Sequence, residues 1–246
     1  MKKMLLIVSL MSSLIFADDF YILCEGNFGS SNASLWDYDG SDLQGPVCWD
    51  LSSNLLGDVG QSMALYNDKL LVVVNNSHKI EVMDTESQEV LKTIDMPYSN
   101  PRYLAVKGSK GYLSSWGAAG IIIIDLENYT LLDTIEVGGL PEDIIIDDNV
   151  LYTSINMNAG WMSDSLVVAY DLSQSPPKFL KAYEVIPGPG RMILKDREIY
   201  VASTYYDAFY NTYAGMSKIL LETDNVQRAD YGMNFLFSDD LVLWQD

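Results

Sequence analysis

Four segments of the chain repeat one pattern at a spacing of about forty residues, and this repeat restricts the fold more than any other feature. The segments are "GQSMALYNDKLLVVV", "NPRYLAVKGSKGYLSS", "LPEDIIIDDNVLYTS" and "GPGRMILKDREIYVAS". Each has a small or turn residue, an apolar run, a turn and a second apolar run. A third run follows and ends on an acid: "KIEVMD", "GIIIID", "SLVVAYD" and "SKILLETD". The acids are Asp84, Asp125, Asp171 and Asp224, at spacings of 41, 46 and 53 residues. A fourth run closes the clearer units, as in "EVLKTIDM" and "LLDTIEVG".

The runs are short, rich in Val, Ile and Tyr, and separated by Asn-Asp, Gly-Ser, Asp-Asp and Lys-Asp pairs. Asn, Asp and Gly tolerate the positive φ of tight hairpins. Each unit therefore reads as a four-stranded antiparallel meander, with strands a, b, c and d. One such sheet cannot bury both faces alone, so the units must stack around an axis. The expected fold is an all-β β-propeller of four-stranded antiparallel blades, about five to six of them. Pro97, Pro141 and Pro187 fall in the crossings from one unit to the next, where a missing N–H does no harm to a ladder.

"DDFYILCEGN" resembles "NDKLLVVVNN", so the first unit starts at strand b, continues with "ASLWDYDG" as c and ends with "PVCWDL" as d. "YGMNFLFSDDLVLWQD" reads as a strand a followed by a strand b. Strand b is then supplied twice, and the expectation is an incomplete ring of a seven-bladed fold. Cys24 and Cys48 fall on strands b and d of the first unit. Two strand spacings place their backbones about 9.5 Å apart, beyond the roughly 7 Å a disulfide spans. They are expected to be unbonded.

Residues 1–17 stand apart from residues 18–246, the propeller domain. Lys2 and Lys3 precede an apolar run from Met4 to Phe16, and Ala17 offers a small residue for cleavage. This is the layout of a signal peptide, too short to span a bilayer. Leu23 before Cys24 argues against lipidation. The expected location is exported: periplasmic, cell-surface or secreted, and not lipid-anchored. Loss of residues 1–17 moves the formal charge from −19 to −21. Such a surface repels phosphate backbones and anionic headgroups, which excludes nucleic acid and membrane insertion as expected partners.

"EGNFGSSNASLWDYD", "LGDVGQSMALYNDKLLVVVNNSHKIEVMDTESQEVLKTI" and "NPRYLAVKGSKGYLSSWGAAGIIIIDLENYTLLDTIEVGGLPEDIIIDDNVLYTS" resemble the YncE-like, or YVTN-repeat, propellers. The resemblance implies an exported bacterial propeller, in a group that includes surface cobalamin-binding members. It implies no residue-by-residue ligand set here.

Strand a lines the axis, so the d–a crossings and the b–c loops share one face, the top. Two b–c segments are long: residues 156–164, with Asn156, Asn158 and Trp161, and residues 204–216, with Tyr205, Tyr206, Phe209, Tyr210 and Tyr213. Trp116 lies in a shorter b–c loop that precedes both. Tyr and Trp give apolar area with a polar tip at low entropic cost. The crossings add Gln61, Arg102, Glu142, Arg191 and Asn234. Two arginines on an acidic protein could grip an anion or could join an Arg–Glu network between blades. The candidate ligand-binding set is Arg102, Trp116, Asn156, Trp161, Arg191, Tyr205, Tyr206 and Tyr210, facing a small molecule, such as a corrinoid or a glycan, or a protein partner. The aromatics could instead pack on each other and cover the blade edges.

Catalytic and metal residues are not apparent, and no cofactor is identified. His78 is the lone histidine and reads as a surface loop residue. "DYDGSD" offers Asp37, Asp39 and Asp42 as calcium ligands, but an Asp-Gly hairpin explains it better. The leading expectation is a non-enzymatic binding protein. The alternatives are a Ca²⁺-dependent lactonase- or hydrolase-like propeller and a structural or protein-interaction module of a surface assembly.

Overall fold

A computed structural model of the chain describes residues 20–47 and 56–235. Among the described residues the fold is all-β and holds no helix. The strands form five antiparallel sheets, each a meander. The first has β1 (Phe20–Cys24), β2 (Ser34–Tyr38) and β3 (Leu43–Gln44). The second has β4 (Gly60–Tyr66), β5 (Lys69–Val74), β6 (Lys79–Asp84) and β7 (Val90–Asp95). The third has β8 (Pro101–Lys107), β9 (Lys110–Ser115), β10 (Gly120–Asp125) and β11 (Thr130–Glu136). The fourth has β12 (Leu140–Asp147), β13 (Val150–Met157), β14 (Ser163–Asp171) and β15 (Lys178–Glu184). The fifth has β16 (Pro189–Lys195), β17 (Glu198–Tyr206), β18 (Thr212–Leu220) and β19 (Asn225–Met233).

The a strands are β4, β8, β12 and β16, and each packs on the next, with β1 against β4. The b and c strands lie sandwiched between sheets, which explains runs that are apolar on both faces. In β10 the two-residue period sends Ile122 and Ile124 to a core shared with Leu71, Val73, Ile80 and Val82 of the second sheet. Ile121 and Ile123 go the other way, to Leu151, Ile155 and Val168 of the fourth. A third core joins Val167 and Tyr183 to Ile199, Val201 and Ile219. Each fully buried Ile or Leu contributes about 1.5–3 kcal/mol. The stacking of sheets, not any single sheet, thus supplies the stability.

Every a strand carries a register break at its start: between Gly60 and Ser62, Pro101 and Leu104, Pro141 and Ile144, and Pro189 and Met192. Such bulges turn side chains out of the pleat. The residues so displaced are Gln61, Arg102 with Tyr103, Glu142 with Asp143, and Gly190 with Arg191.

Asp84, Asp125 and Asp171 are the last residues of β6, β10 and β14, each opposite the first residue of the b strand. Their carboxylates accept N–H bonds from the c–d turn: Glu86 and Ser87, Glu127 and Asn128, and Ser173. The side chains of Asn128 and Ser173 add the larger effect at Asp125 and Asp171, the Ser87 N–H does so at Asp84, and all three acids are held below the usual carboxylate range. Asp224 does not share this place. The fifth sheet has Leu220 there, and Asp224 sits in the turn before β19, bound by Lys181 and Tyr183 of β15. In the first sheet the role belongs to Asp39, which accepts Ser41 and Asp42 N–H groups and is held at about 2. Asp39 is thus the cap of a turn, in line with the hairpin reading of "DYDGSD", and Asp37 accepts the Gln88 amide.

Two further expectations are corrected. Tyr231–Met233 were read as the start of a strand a but are the end of β19, a strand d paired with β18. A nine-residue β18 needs a partner of equal length, and the apolar pattern does not distinguish d from a. In the first sheet strand d starts at Leu43, ahead of "PVCWDL", and its path continues through Val47, which donates to the Leu35 carbonyl. Cys48, and with it the expectation for the cysteine pair, lies outside the described residues; so do residues 1–19 and 236–246.

Candidate functional site

The b–c turns of the four four-stranded sheets share one geometry. The N–H of the fourth residue bonds to the carbonyl of the first in Asn75–His78, Trp116–Ala119, Asn158–Trp161 and Asp207–Tyr210. That fourth residue is left-handed in each, with φ of 54, 47, 61 and 60° for His78, Ala119, Trp161 and Tyr210. The long segments differ only in how far the hairpin is extended. Residues 204–206 and 212–216 are not loop but paired strand, with Thr204 opposite Ala214 and Tyr206 opposite Thr212. The turns at the two tips are closed by side chains. Asn158 Oδ1 accepts the Gly160 and Met162 N–H groups. Asp207 accepts those of Phe209 and Asn211, with the Asn211 amide and the Tyr213 hydroxyl. The polar Asn and Asp of these segments therefore build the turns.

Below these turns lies a cavity of about 810 Å³, within the range of small-molecule sites. Its floor is made by the displaced residues of the a strands: Gln61, Arg102, Tyr103, Glu142, Asp143, Gly190 and Arg191. The first sheet adds Leu23 and Glu25, the b strands add Asn156, Ala202, Thr204 and Tyr206, and the turn after β9 adds Trp116. Each described sheet thus contributes.

The charges on the floor are paired across sheet boundaries. Arg102 donates Nε–H to both Glu142 oxygens, at 3.1 and 3.0 Å, and Nη1–H to Gln61 Oε1 at 2.6 Å. Gln61 in turn donates to the Tyr103 hydroxyl. Arg191 donates to Asp143 Oδ1 at 2.8 Å, and the Met192 N–H donates to Oδ2 at 2.7 Å. Each guanidinium also covers a ring: Arg102 lies 4.4 Å from the Trp116 centroid and Arg191 4.1 Å from that of Tyr103. Glu142 and Asp143 are buried. Burial pushes the Asp143 carboxyl up to about 6, against the pull of Arg191 and the Met192 N–H. Burial, then the Glu142 charge, raises the Tyr103 phenol.

Of the eight residues marked in the sequence, five line this cavity: Arg102, Trp116, Asn156, Arg191 and Tyr206. Asn156 also donates to the Pro189 carbonyl of the next sheet, as Asn75 does to Pro101. Trp161 stands on the rim, 63 % exposed, with its ring edge-on to Trp116 at 6.0 Å. Tyr205 faces away, stacked on Tyr213 at 5.1 Å with its hydroxyl on Asp230. Burial and that bond push its phenol up to about 12. Tyr210 is at a hairpin tip, 86 % exposed. Asn234 follows β19, donates to the Thr212 carbonyl and does not line the cavity. His78 accepts the Asn100 N–H at Nδ1. Sequence reading missed Asp143 and Tyr103 because they look like ordinary strand residues. The available signal was the Pro before each pair: "PRY", "PED", "PGR".

No curated protein matches the chain. Solved structures do. The chain is similar to Kuenenia stuttgartiensis hydrazine synthase, at 14 % identity and a TM-score of 0.61, over 75 % of this chain and 53 % of that one. It is similar to the computationally designed Ika8 protein, at 12 % identity and a TM-score of 0.53, over 70 and 49 %. It is similar to the dihydro-heme d1 dehydrogenase NirN, solved with DHE, at 14 % identity and a TM-score of 0.50, over 87 and 55 %. The chain spans about half the length of each. At this identity the likeness is one of fold, and the hydrazine synthase and NirN neighbours are propeller-type. The profile of a domain of unknown function, DUF5074, matches residues 18–206, so the chain belongs to the DUF5074 family.

Proposed function

We propose that this chain is an exported, non-enzymatic propeller of the YncE-like type that holds a ligand in the cavity between its a-strand bulges and its b–c hairpins. The observation that carries this reading is the cavity itself. It gathers residues from five sheets, and its rim carries the two extended hairpins that bear Trp161, Tyr206 and Tyr210. Exposed aromatics at such a rim supply binding energy at low entropic cost. The pairing of Glu142 and Asp143 with arginines supports a binding role over a hydrolytic one, since both carboxylates are committed to the fold. The basic and apolar layout of residues 1–17 supports export. In this reading the ring has five to six blades, or is an incomplete ring of seven. The spacings of 41 and 46 residues and the five described sheets support that range.

The test is a ligand screen read by tryptophan fluorescence, since Trp116 and Trp161 flank the cavity. Cyanocobalamin, haemin, oligosaccharides and short peptides cover the candidate classes. A ligand should bind to the wild type and lose at least tenfold in Tyr206→Ala, because an aromatic anchor typically supplies about 2 kcal/mol or more. Leu65→Ala, on the opposite face, should leave affinity unchanged. Affinity that follows Leu65 and ignores Tyr206 overturns the assignment of the face.

A further inference from the structure

We propose that the ligand of this cavity is a neutral, polyhydroxylated molecule, a saccharide, held by the ion-paired floor and stacked on Tyr206. The inference rests on the binding reading above and names the class of ligand.

The first argument is charge. Two arginines and two acids line the floor, and they are matched one to one: Arg102 with Glu142 and Arg191 with Asp143. A cavity built for an anion would present guanidinium forks to it. Here the Arg102 fork is already turned onto the Glu142 carboxylate by three hydrogen bonds. Both guanidinium groups also lie over rings, Arg102 over Trp116 and Arg191 over Tyr103. The remaining charge on the lining is the acid Glu25, in a chain of formal charge −19. An anionic ligand would meet repulsion at every stage of approach.

The second argument is hydrogen-bond chemistry. The lining offers donors and acceptors held in place by the fold: Gln61 and Glu142 on Arg102, Asp143 on Arg191, and Asn156 on the Pro189 carbonyl, with Thr204 beside them. Hydroxyl groups both donate and accept, so a polyol can bond to either member of an ion pair without disturbing it. A flat apolar ligand would strip these groups of water and return nothing, which is costly.

The third argument is the platform. Tyr206 lines the cavity and is 52 % exposed at the end of β17, which fixes its backbone by pairing with Thr212. A half-exposed ring anchored on a strand offers a face to the C–H side of a sugar, while the hydroxyls turn to the polar floor.

Isothermal titration of the wild-type protein with maltotriose, cellotriose and mannotriose, and with inorganic sulfate, a sulfated disaccharide and cyanocobalamin, tests this. The expected result is binding of at least one neutral trisaccharide, weakened at least tenfold in Tyr206→Ala and unchanged between 50 and 500 mM NaCl, as expected for an uncharged ligand, concentrations on the order of those that screen exposed charges. Sulfate should not bind the wild type. In Glu142→Gln the Arg102 guanidinium loses its counter-charge, so sulfate should bind there while the trisaccharide weakens. Melting curves verify that this variant is folded; if it is not, the Tyr206→Ala and salt measurements decide alone. Tighter binding of the sulfated disaccharide or of cyanocobalamin than of any neutral saccharide, at a site lost in Tyr206→Ala, overturns the ligand class and leaves the binding face standing. Absence of binding of every neutral trisaccharide overturns the ligand class, and binding indifferent to Tyr206 overturns both.

Discussion

Arg102 on β8 and Glu142 on β12 meet in a two-pronged ion pair across a sheet boundary, with Arg102 Nε within 3.1 Å of both carboxylate oxygens. Glu142 is buried, and the side chain of Arg102 is 19 % exposed. Removing one partner of such a pair strands the other in low dielectric, at a cost of about 3–5 kcal/mol. Glu142→Ala should therefore lower unfolding free energy by several kcal/mol in a urea titration. A loss under about 1 kcal/mol, typical of an exposed pair, would show that water reaches it.

Asp143 gives stability an unusual slope with pH. Its folded value, about 6, lies above the ordinary 3.8. Between those values the folded state binds more protons than the unfolded state. This group's contribution therefore falls as pH rises from about 4 to 6 and is level above. Asp39, Asp84, Asp125 and Asp171 are lowered and act in the opposite sense. Their contribution is full above about 4 and is lost as pH falls below it. Asp143→Asn should abolish the slope between pH 4 and 6 and leave the acid limb unchanged. Melting curves at several pH values measure both.

Ser114 ties the β8 bulge to the β12 bulge, and Ser154 ties the β12 bulge to the β16 bulge. Ser154 accepts the Asp143 N–H and donates to the Gly190 carbonyl; Ser114 accepts the Tyr103 N–H and donates to the Glu142 carbonyl. Both are fully buried. Either Ser→Ala change leaves an N–H and a C=O without their partner, and each should cost about 1–3 kcal/mol. Denaturant titration of the two variants checks this, with the exposed Ser41→Ala as the reference.

Gly188 lies in the crossing before β16 with φ of 66°, and an added Cβ would fall 2.0 Å from the Thr204 carbonyl oxygen. Gly138, with φ of 80°, has nothing within 4 Å of that position. Gly138→Ala should cost only the left-handed backbone penalty of about 1–2 kcal/mol. Gly188→Ala should cost more and should also disturb the cavity wall, because Thr204 and Tyr206 belong to the same strand. Thermal melts of the two variants separate the terms; equal losses would place Thr204 elsewhere.

The sequence by itself determined the unit of this protein. Strand identity depends on neighbours two residues apart, and turns depend on Asn, Asp and Gly at single positions, so "GIIIID" and the acids Asp84, Asp125 and Asp171 were readable directly. Where the local signal was shared by two strand types, it misled: Tyr231–Met233 fit strand a as well as d, and Asp224 imitates the turn acids four residues past the end of β18. The aromatic b–c hairpins were legible as length and composition, but not as paired strand. Only the tertiary structure decided what the charges do. Arg102 and Glu142, and Asp143 and Arg191, are 40 and 48 residues apart and meet because a bulge at the same place in each a strand turns them out of the pleat. An ion pair between neighbouring sheets is a property of how the sheets stack, and no single repeat contains that information.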